Sequence, residues 1–338
     1  MHDVAEIADV SVQTVSNYVN GRLSKLSVTT QRKVQSAIDE LGYRLNQTAR
    51  GLRSTRTRTL AFLAVDDDER FLADPLTGNY LAGLSHVARE SGYSVLMHSV
   101  SGDPETDEFL RPIHEGRVDA VCVLLSGPLE LRRRLLRRLD ESSTEYLVFD
   151  ETDVVDEASR AMTVRAEQAA GARLLVEHLA RNGHRHIAFI AARTPWAVVE
   201  QRHEGYLAAL AEHSLPVRPE LSLFEAGWEP SGAAAMVAKL LAIADPPSAL
   251  LCGSDLLALG ATRYLHDQGL RVPQDIAVCG YDDFDFARHC NPALTTVGVP
   301  AWEMGRRAGH QLIDVLDDPQ SSRDDICLET TLIIRESA

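Results

Sequence analysis

The sequence predicts a small all-α helix-turn-helix domain followed by an α/β core of two parallel-sheet lobes. The first observation behind this is a division of charge. The chain of 338 residues carries a net −15. Residues 1–58 hold nine basic and five acidic residues, so this head is +4 and the remaining 280 residues are −19. A basic segment on an acidic body is the charge pattern of a nucleic-acid-binding head, although the bulk charge alone points away from nucleic acid. The second observation is a pair of short helical stretches in the head, separated by a tight turn. The third is an alternation of apolar strand-like runs with helical patterns after residue 58, which implies parallel sheets with right-handed crossovers. A stretch of 280 residues divides naturally into two lobes of roughly 140 each.

In the head, Val4–Ala8 reads as a short helix with Asp3 at its start, and Asp9-Val10-Ser11 as a turn. Ser11 is placed to cap a second helix, Val12–Asn20, in which Val15 and Val19 share a face. Gly21 suits the end of that helix. Ser27 is placed to cap a third, Val28–Leu41, with Val34, Ala37, Ile38 and Leu41 as its inward stripe. Two short helices across such a turn form the helix-turn-helix pattern, whose second helix enters the major groove of DNA. On that second helix Val12, Gln13, Ser16 and Asn17 are expected to face outward. Gln and Asn pair bidentately with adenine, and an apolar group meets a thymine methyl. Residues 46–58, NQTARGLRSTRTR, contain almost no core-forming side chains, and their arginines supply a salt-dependent attraction to phosphate.

The stretches VAEIADVSVQTVSNYVNG and LSVTTQRKVQSAIDELGYRLNQTARGL resemble the head of LacI–GalR transcriptional regulators. The resemblance implies that Val12, Gln13 and Asn17 read bases, while Thr14, Ser16, Ser27 and Thr30 touch phosphates. It further implies that Asn46, Arg50 and Leu52 belong to a hinge helix that forms on DNA, with Leu52 wedged between base pairs in the minor groove. Gly51 lowers the intrinsic helix propensity there by about 1 kcal/mol relative to Ala, as suits a helix formed only when bound. The chain departs from the family where Asp9 replaces the usual turn Gly and where Leu45 replaces the usual Pro. Its first helix also begins nearer the start of the chain. Many relatives carry Arg where this chain has Asn17, so a different half-site is expected.

Strand-like runs in the body are Thr59–Val65, Ser94–Val100, Ala120–Leu125, Tyr146–Phe149, Ile187–Ala191, Ala249–Cys252 and Ile276–Cys279. Helical patterns between them include Tyr80–Glu90, Gln168–Arg181, Ala233–Ile243 and Leu256–Asp267. The stretches ADPLTGNYLAGL, VEHLARNGHRHIAFI, GSDLLALGATRYL, VPQDIAVCGYDD and NPALTTV extend the resemblance to a periplasmic-binding-protein-like core of two Rossmann-like lobes. The expected organisation is a DNA-binding domain over 1–45, a hinge over 46–58 and an effector-binding and dimerisation core over 59–338. Crossings near 162, 298 and 326 would give one lobe of about 59–162 and 299–326, and another of about 163–298 and 327–338.

Ligands of such sheets bind at the carboxyl ends of the strands. Asp150, Arg202, Trp228, Ser254 and Asp282 match the family's effector positions and lie in or near segments that follow strand ends. Carboxylates and a guanidinium can hold adjacent hydroxyls, and a Trp face packs on the C–H side of a sugar. Asp150 is equally readable as a strand-end cap, Trp228 as core, and Arg202 with Asp282 as an internal ion pair. Ser254 stands where the family usually has Asn, which puts a standard monosaccharide in question. The five arginines of LELRRRLLRRL, residues 129–139, read as a solvated helix face.

The expected function is a repressor that binds a pseudo-palindromic double-stranded operator as a homodimer and answers to a small polar effector, a sugar or sugar derivative. The alternatives are control by a partner protein or a nucleoside-type corepressor, and a solute-binding protein. The solute-binding reading lacks a signal peptide and does not explain the head. No catalytic constellation, cofactor loop or metal-ligand spacing stands out, so no enzyme activity, cofactor or metal is expected. Five widely spaced cysteines and the absence of a long apolar run fit a cytoplasmic protein with no membrane association.

Overall fold

The computed structural model describes residues 2–19, 22–41, 56–66, 72, 74–101, 106–151, 159–193 and 196–338. It divides into two compact units, residues 1–57 and 58–338.

The first unit contains helices α1 (His2–Ile7), α2 (Val12–Val19) and α3 (Val28–Leu41), with a short 3-10 turn at Leu23–Lys25. Asp9 adopts a φ of 50°, so this Asp occupies the left-handed position at the turn. Ser11 Oγ accepts the Thr14 N–H at 3.1 Å, and Ser27 Oγ accepts the Thr30 N–H at 3.1 Å, so both expected caps form. Val4, Ala5, Ala8, Val15, Val34 and Ala37 make the small core. Tyr18 O–H donates to Gln35 Oε1 at 2.8 Å and ties α2 to α3. Leu41 departs from the expected inward stripe: it is the last residue of α3 and is 41% exposed.

The second unit runs β1 (Thr59–Val65), α4 (Pro75–Glu90), β2 (Ser94–Val100), the one-turn helices α5 (Thr106–Phe109) and α6 (Arg111–His114), β3 (Ala120–Leu125), α7 (Leu129–Glu141), β4 (Glu145–Phe149) and β5 (Met162–Ala166). It continues with α8 (Gln168–Arg181), β6 (Ile187–Ala192), α9 (Ala197–Glu212), β7 (Ser222–Ala226), α10 (Pro230–Leu241), β8 (Ala249–Cys252), α11 (Asp255–Asp267) and β9 (Ala277–Cys279). It closes with β10 (Thr296–Gly298), α12 (Ala301–Asp317), β11 (Ile326–Leu328) and β12 (Thr331–Ile333). One six-stranded sheet has the order β11-β5-β4-β3-β1-β2 and one four-stranded sheet the order β7-β6-β8-β9. Every pair within them is parallel, whereas β10 and β12 form an antiparallel ribbon.

Parallel strands need crossover helices, which is why helices cover both faces and the central strands β1, β3 and β6 are almost wholly buried apolar runs. The strands that escaped the sequence reading are β5, β7, β10, β11 and β12, all of five residues or fewer. Met162–Ala166 pairs with β4 and Ile326–Leu328 pairs with β5, so both strands belong to the six-stranded sheet. Helix α12 returns to pack on α4. The two helices touch backbone to backbone at Gly83 and Gly305: a Cβ on Gly83 would lie 2.0 Å from the Trp302 carbonyl oxygen, and one on Gly305 2.0 Å from that of Tyr80.

Candidate functional site

The face of the head expected to read bases is built by the pitch of α2. Gln13 and Asn17 are four residues apart and share a side of the helix, where the Gln13 amide donates to Asn17 Oδ1 at 3.4 Å. Gln13 is exposed, while Val12, Thr14 and Asn17 are half-buried. Thr14 Oγ1 lies 2.9 Å from Ser11 Oγ, and Thr30 Oγ1 lies 2.8 Å from Ser27 Oγ, so the expected phosphate-facing hydroxyls cluster at the two helix starts. Ser16 does not face outward as expected. It is 6% exposed, because the helix turns it next to Val15 on the packed side. Asn46, Arg50 and Leu52 lie outside the described residues.

In the body, Asp150, Arg202, Trp228, Ser254 and Asp282 all line one cavity of about 210 Å³ between the two lobes. Asp150 directly follows β4, Trp228 follows β7, Ser254 follows β8 and Asp282 follows β9, so the ends of parallel strands deliver four of the five. Arg202 comes from α9. That helix is drawn onto α8 at Gly205, where a Cβ would sit 2.2 Å from the Ala169 carbonyl oxygen.

The polar groups form one buried chain of bonds. Tyr80 O–H donates to Asp150 Oδ2 at 2.7 Å. Asp150 Oδ1 accepts the Ala166 N–H at 3.0 Å and the Gln168 side-chain amide at 3.4 Å. Arg202 donates through Nε to Gln168 Oε1 at 2.9 Å, through Nη1 to the Gly253 carbonyl at 2.6 Å, and through Nη2 to Asp282 Oδ1 at 2.7 Å. Its guanidinium carbon lies 3.8 Å from the centre of the Tyr281 ring, whose hydroxyl donates to the Gln168 carbonyl at 2.7 Å. The ion pair between Arg202 and Asp282 is thus internal, yet both residues also face the cavity.

Burial sets the acid–base character of this chain. It pushes Asp282 up to about 6, with Arg202 opposing and the Asp74 and Asp150 charges adding to the rise. Asp150 and Asp74 are likewise raised, chiefly by burial. Burial works against the Arg202 charge, but Asp282 and Tyr281 outweigh it and hold the guanidinium above its ordinary value. Asp255, behind the cavity, is pushed up to about 8 by burial and then by the Asp282 charge. It accepts from Thr296 Oγ1 at 2.6 Å and from the Phe284 N–H at 2.8 Å. Ser254 Oγ accepts the Leu257 N–H at 3.3 Å, so this hydroxyl caps α11 as well as facing the cavity.

Sequence reasoning missed most of the wall contributed by the first lobe. Asp74, Thr77, Tyr80, Phe149 and Glu151 line the cavity from that lobe, and Trp196, also missed, lines it from the other. A signal for the first of these was present in Asp74-Pro75, a cap followed by a Pro suited to the first helical turn. Arg132 corrects the reading of the basic helix α7. It is 1% exposed and its Nη1 lies 2.9 and 2.7 Å from the two carboxylate oxygens of Glu151. Its Nη2 reaches Glu200 Oε2 on α9 at 3.4 Å, from one lobe to the other. The cause is helical spacing: Arg132 stands three, four and seven residues before the buried Leu135, Leu136 and Leu139, while Arg137 and Arg138 face solvent.

A basic helix-turn-helix head, joined in sequence to a two-lobed body with a polar cavity, defines a DNA-binding regulator with a ligand-sensing domain. Residues 1–46 match the family of bacterial regulatory proteins of the lacI type, and residues 176–338 match the periplasmic binding protein-like domain. The HTH-type transcriptional repressor PurR of Aliivibrio fischeri (strain MJ11) is 31% identical over 338 residues, covering 99% of this chain and 97% of the relative. The ribose operon repressor of Haemophilus influenzae is 28% identical, covering 100% and 98%. Among solved structures, the Lac repressor dimer bound to operator and the anti-inducer ONPF is 26% identical with a TM-score of 0.86, covering 99% of this chain and 97% of that one. The transcriptional regulator CelR in complex with cellobiose is 29% identical with a TM-score of 0.76, covering 99% and 98%. The chain belongs to the lacI family of bacterial regulatory proteins; it is a transcriptional repressor, not an enzyme. Among the described residues no helix is long and apolar enough to cross a membrane.

Proposed function

We propose that the chain represses transcription as a homodimer on a pseudo-palindromic operator, and that a small polar effector in the inter-lobe cavity sets its operator affinity. The observation that carries the effector reading is the convergence of Asp150, Arg202, Trp228, Ser254 and Asp282, from five separate segments, on one cavity. A sugar or sugar derivative suits it: the carboxylates and guanidinium take hydroxyls, and Trp228 takes the apolar face. The cellobiose complex of the similar regulator CelR supports this class. A nucleoside-type corepressor is the second reading, favoured by the Trp196 and Trp228 rings that also line the cavity. On the DNA side Val12, Gln13 and Asn17 read bases, and Thr14, Ser27 and Thr30 hold phosphates. Ser16 supports the helix from within. Asn46, Arg50 and Leu52 form the hinge, outside the described residues.

Ligand binding then acts by linkage, because an effector that favours one arrangement of the lobes shifts the DNA-binding equilibrium by its differential affinity. A thermal-shift screen of sugars, polyols and nucleosides tests the reading. A ligand at 100 times its dissociation constant stabilises the protein by about 2.7 kcal/mol. Hits should change operator affinity in a binding assay; a screen without a hit from any class would transfer control to a partner protein.

A further inference from the structure

At the start of α9, two consecutive side chains reach over to the first lobe. Glu200 meets Arg132, whose Nη2 lies 3.4 Å from Glu200 Oε2. Gln201 donates through its side-chain amide to the Asp150 carbonyl at 3.2 Å. The next residue, Arg202, belongs to the buried chain of bonds at the cavity. Successive helical residues are turned by about 100°, so these three side chains cover more than half the circumference of α9 and set it between the lobes.

The contact between Arg132 and Glu200 is built to open. Arg132 is already satisfied within the first lobe: Nε donates to the Gly127 carbonyl at 3.1 Å and Nη1 to both oxygens of Glu151. The side chains of that pair are each 1% exposed, whereas Glu200 is 51% exposed. When the lobes part, Arg132 keeps its buried counter-ion and Glu200 turns to water. No buried charge is stranded, and a stranded charge is what makes a buried pair costly to break. The pair of Arg202 and Asp282, by contrast, is buried on both sides and lies wholly within the second lobe.

The same contact adjoins the cavity. Glu151, held by Arg132, lines it from the first lobe, and Trp196, Ala197 and Val198, just before Glu200, line it from the second. A ligand touching both walls spans the joint that Arg132 and Glu200 close.

We propose that Arg132 and Glu200 form a releasable latch between the lobes, and that its opening and closing shifts operator affinity. The latch stands on these contacts; its effect on DNA rests on the reading that the arrangement of the lobes sets operator affinity. The test uses the full chain without added ligand. Hydrogen–deuterium exchange reads the latch, and affinity for a double-stranded operator selected from randomised sites reads its effect. Glu200→Gln removes the attraction, and Glu200→Lys sets a cation against Arg132. Glu204→Gln, the control, removes the same charge from an exposed position one turn further along α9. Backbone amides of residues 127–133 and 197–202 are expected to exchange about three-fold faster or more in Glu200→Gln, and faster still in Glu200→Lys. The amides of α8, and all of these in Glu204→Gln, should keep the wild-type rate. Operator affinity should move in one direction in both Glu200 variants, further in Glu200→Lys, and hold in Glu204→Gln. Exchange in Glu200→Gln that matches Glu204→Gln overturns the latch. Faster exchange with operator affinity unchanged, or shifted in opposite directions by the two variants, overturns the effect on DNA and leaves the latch standing. Glu200→Gln leaves both buried residues in place, so it decides alone if Glu200→Lys does not fold. A selection that returns no operator counts against the operator reading and removes the effect on DNA with it, while exchange still decides the latch.

Discussion

Gln13 on the head and Arg202 in the body are both long polar side chains, yet they are held in opposite ways. Gln13 stands exposed, and the bond it makes to Asn17 is 3.4 Å. Arg202 is buried, with three bonds of 2.6, 2.7 and 2.9 Å and a ring against its face. A group proposed to find a base edge is left with unspent donors and acceptors. A group that shapes a cavity is immobilised before any ligand arrives, which lowers the cost of ordering it on binding. Substitutions should therefore separate cleanly: those in the cavity register as stability, those on the reading face as specificity.

The largest effect is expected from Arg202→Ala. It strands the Asp282 carboxylate and the Gln168 amide oxygen in a buried site, and removing one partner of a buried pair costs about 3–5 kcal/mol. Thermal unfolding of the body should move down by many degrees; a shift of only a degree or two would break the comparison. Next comes Asn17→Ala, expected to cost about 1–3 kcal/mol on the cognate operator and to relax one base position, while stability changes by less than about 0.5 kcal/mol. Selection from randomised sites together with a melting curve checks both halves.

A pH dependence follows from Asp255, raised to about 8. The folded state holds its proton over a range in which the unfolded chain has lost it, so stability falls as pH rises through that range and levels off above about 8. Asp255→Asn should flatten the slope by up to about 1.4 kcal/mol per pH unit, read from melts between pH 5 and 9. Smallest is Ser11→Ala, which removes the α2 cap at about 1 kcal/mol and should lower the melting of the head alone.

The sequence made the two regions legible to different depths. Periodicity was enough to find α2 and α3, and the alternation of apolar runs with helices was enough to place seven strands and the residues after them. Asp150, Arg202, Trp228, Ser254 and Asp282 could be named because they match the effector positions of the family the chain resembles, four of them just after the carboxyl ends of parallel strands. Tyr80 and Trp196 could not, since each reaches the cavity from a helix start or flank whose orientation depends on packing, such as the Gly83–Gly305 contact beneath Tyr80. Arg132 was hidden by its four arginine neighbours, although its register against Leu135, Leu136 and Leu139 already set it apart. The strands β10, β11 and β12 are three residues each, too short for any period to show.

The cap at Ser254 has a consequence for how such a repressor changes its ligand over evolutionary time. The hydroxyl that faces the cavity also holds the first turn of α11 through the Leu257 N–H. Ser, Asn, Asp and Thr all serve in that structural role, yet they present different donors and acceptors to a ligand. Mutation among these four can redraw the chemical preference of the pocket while the helix start is maintained throughout. Position 254 is a site at which one side chain serves both the helix start and the cavity.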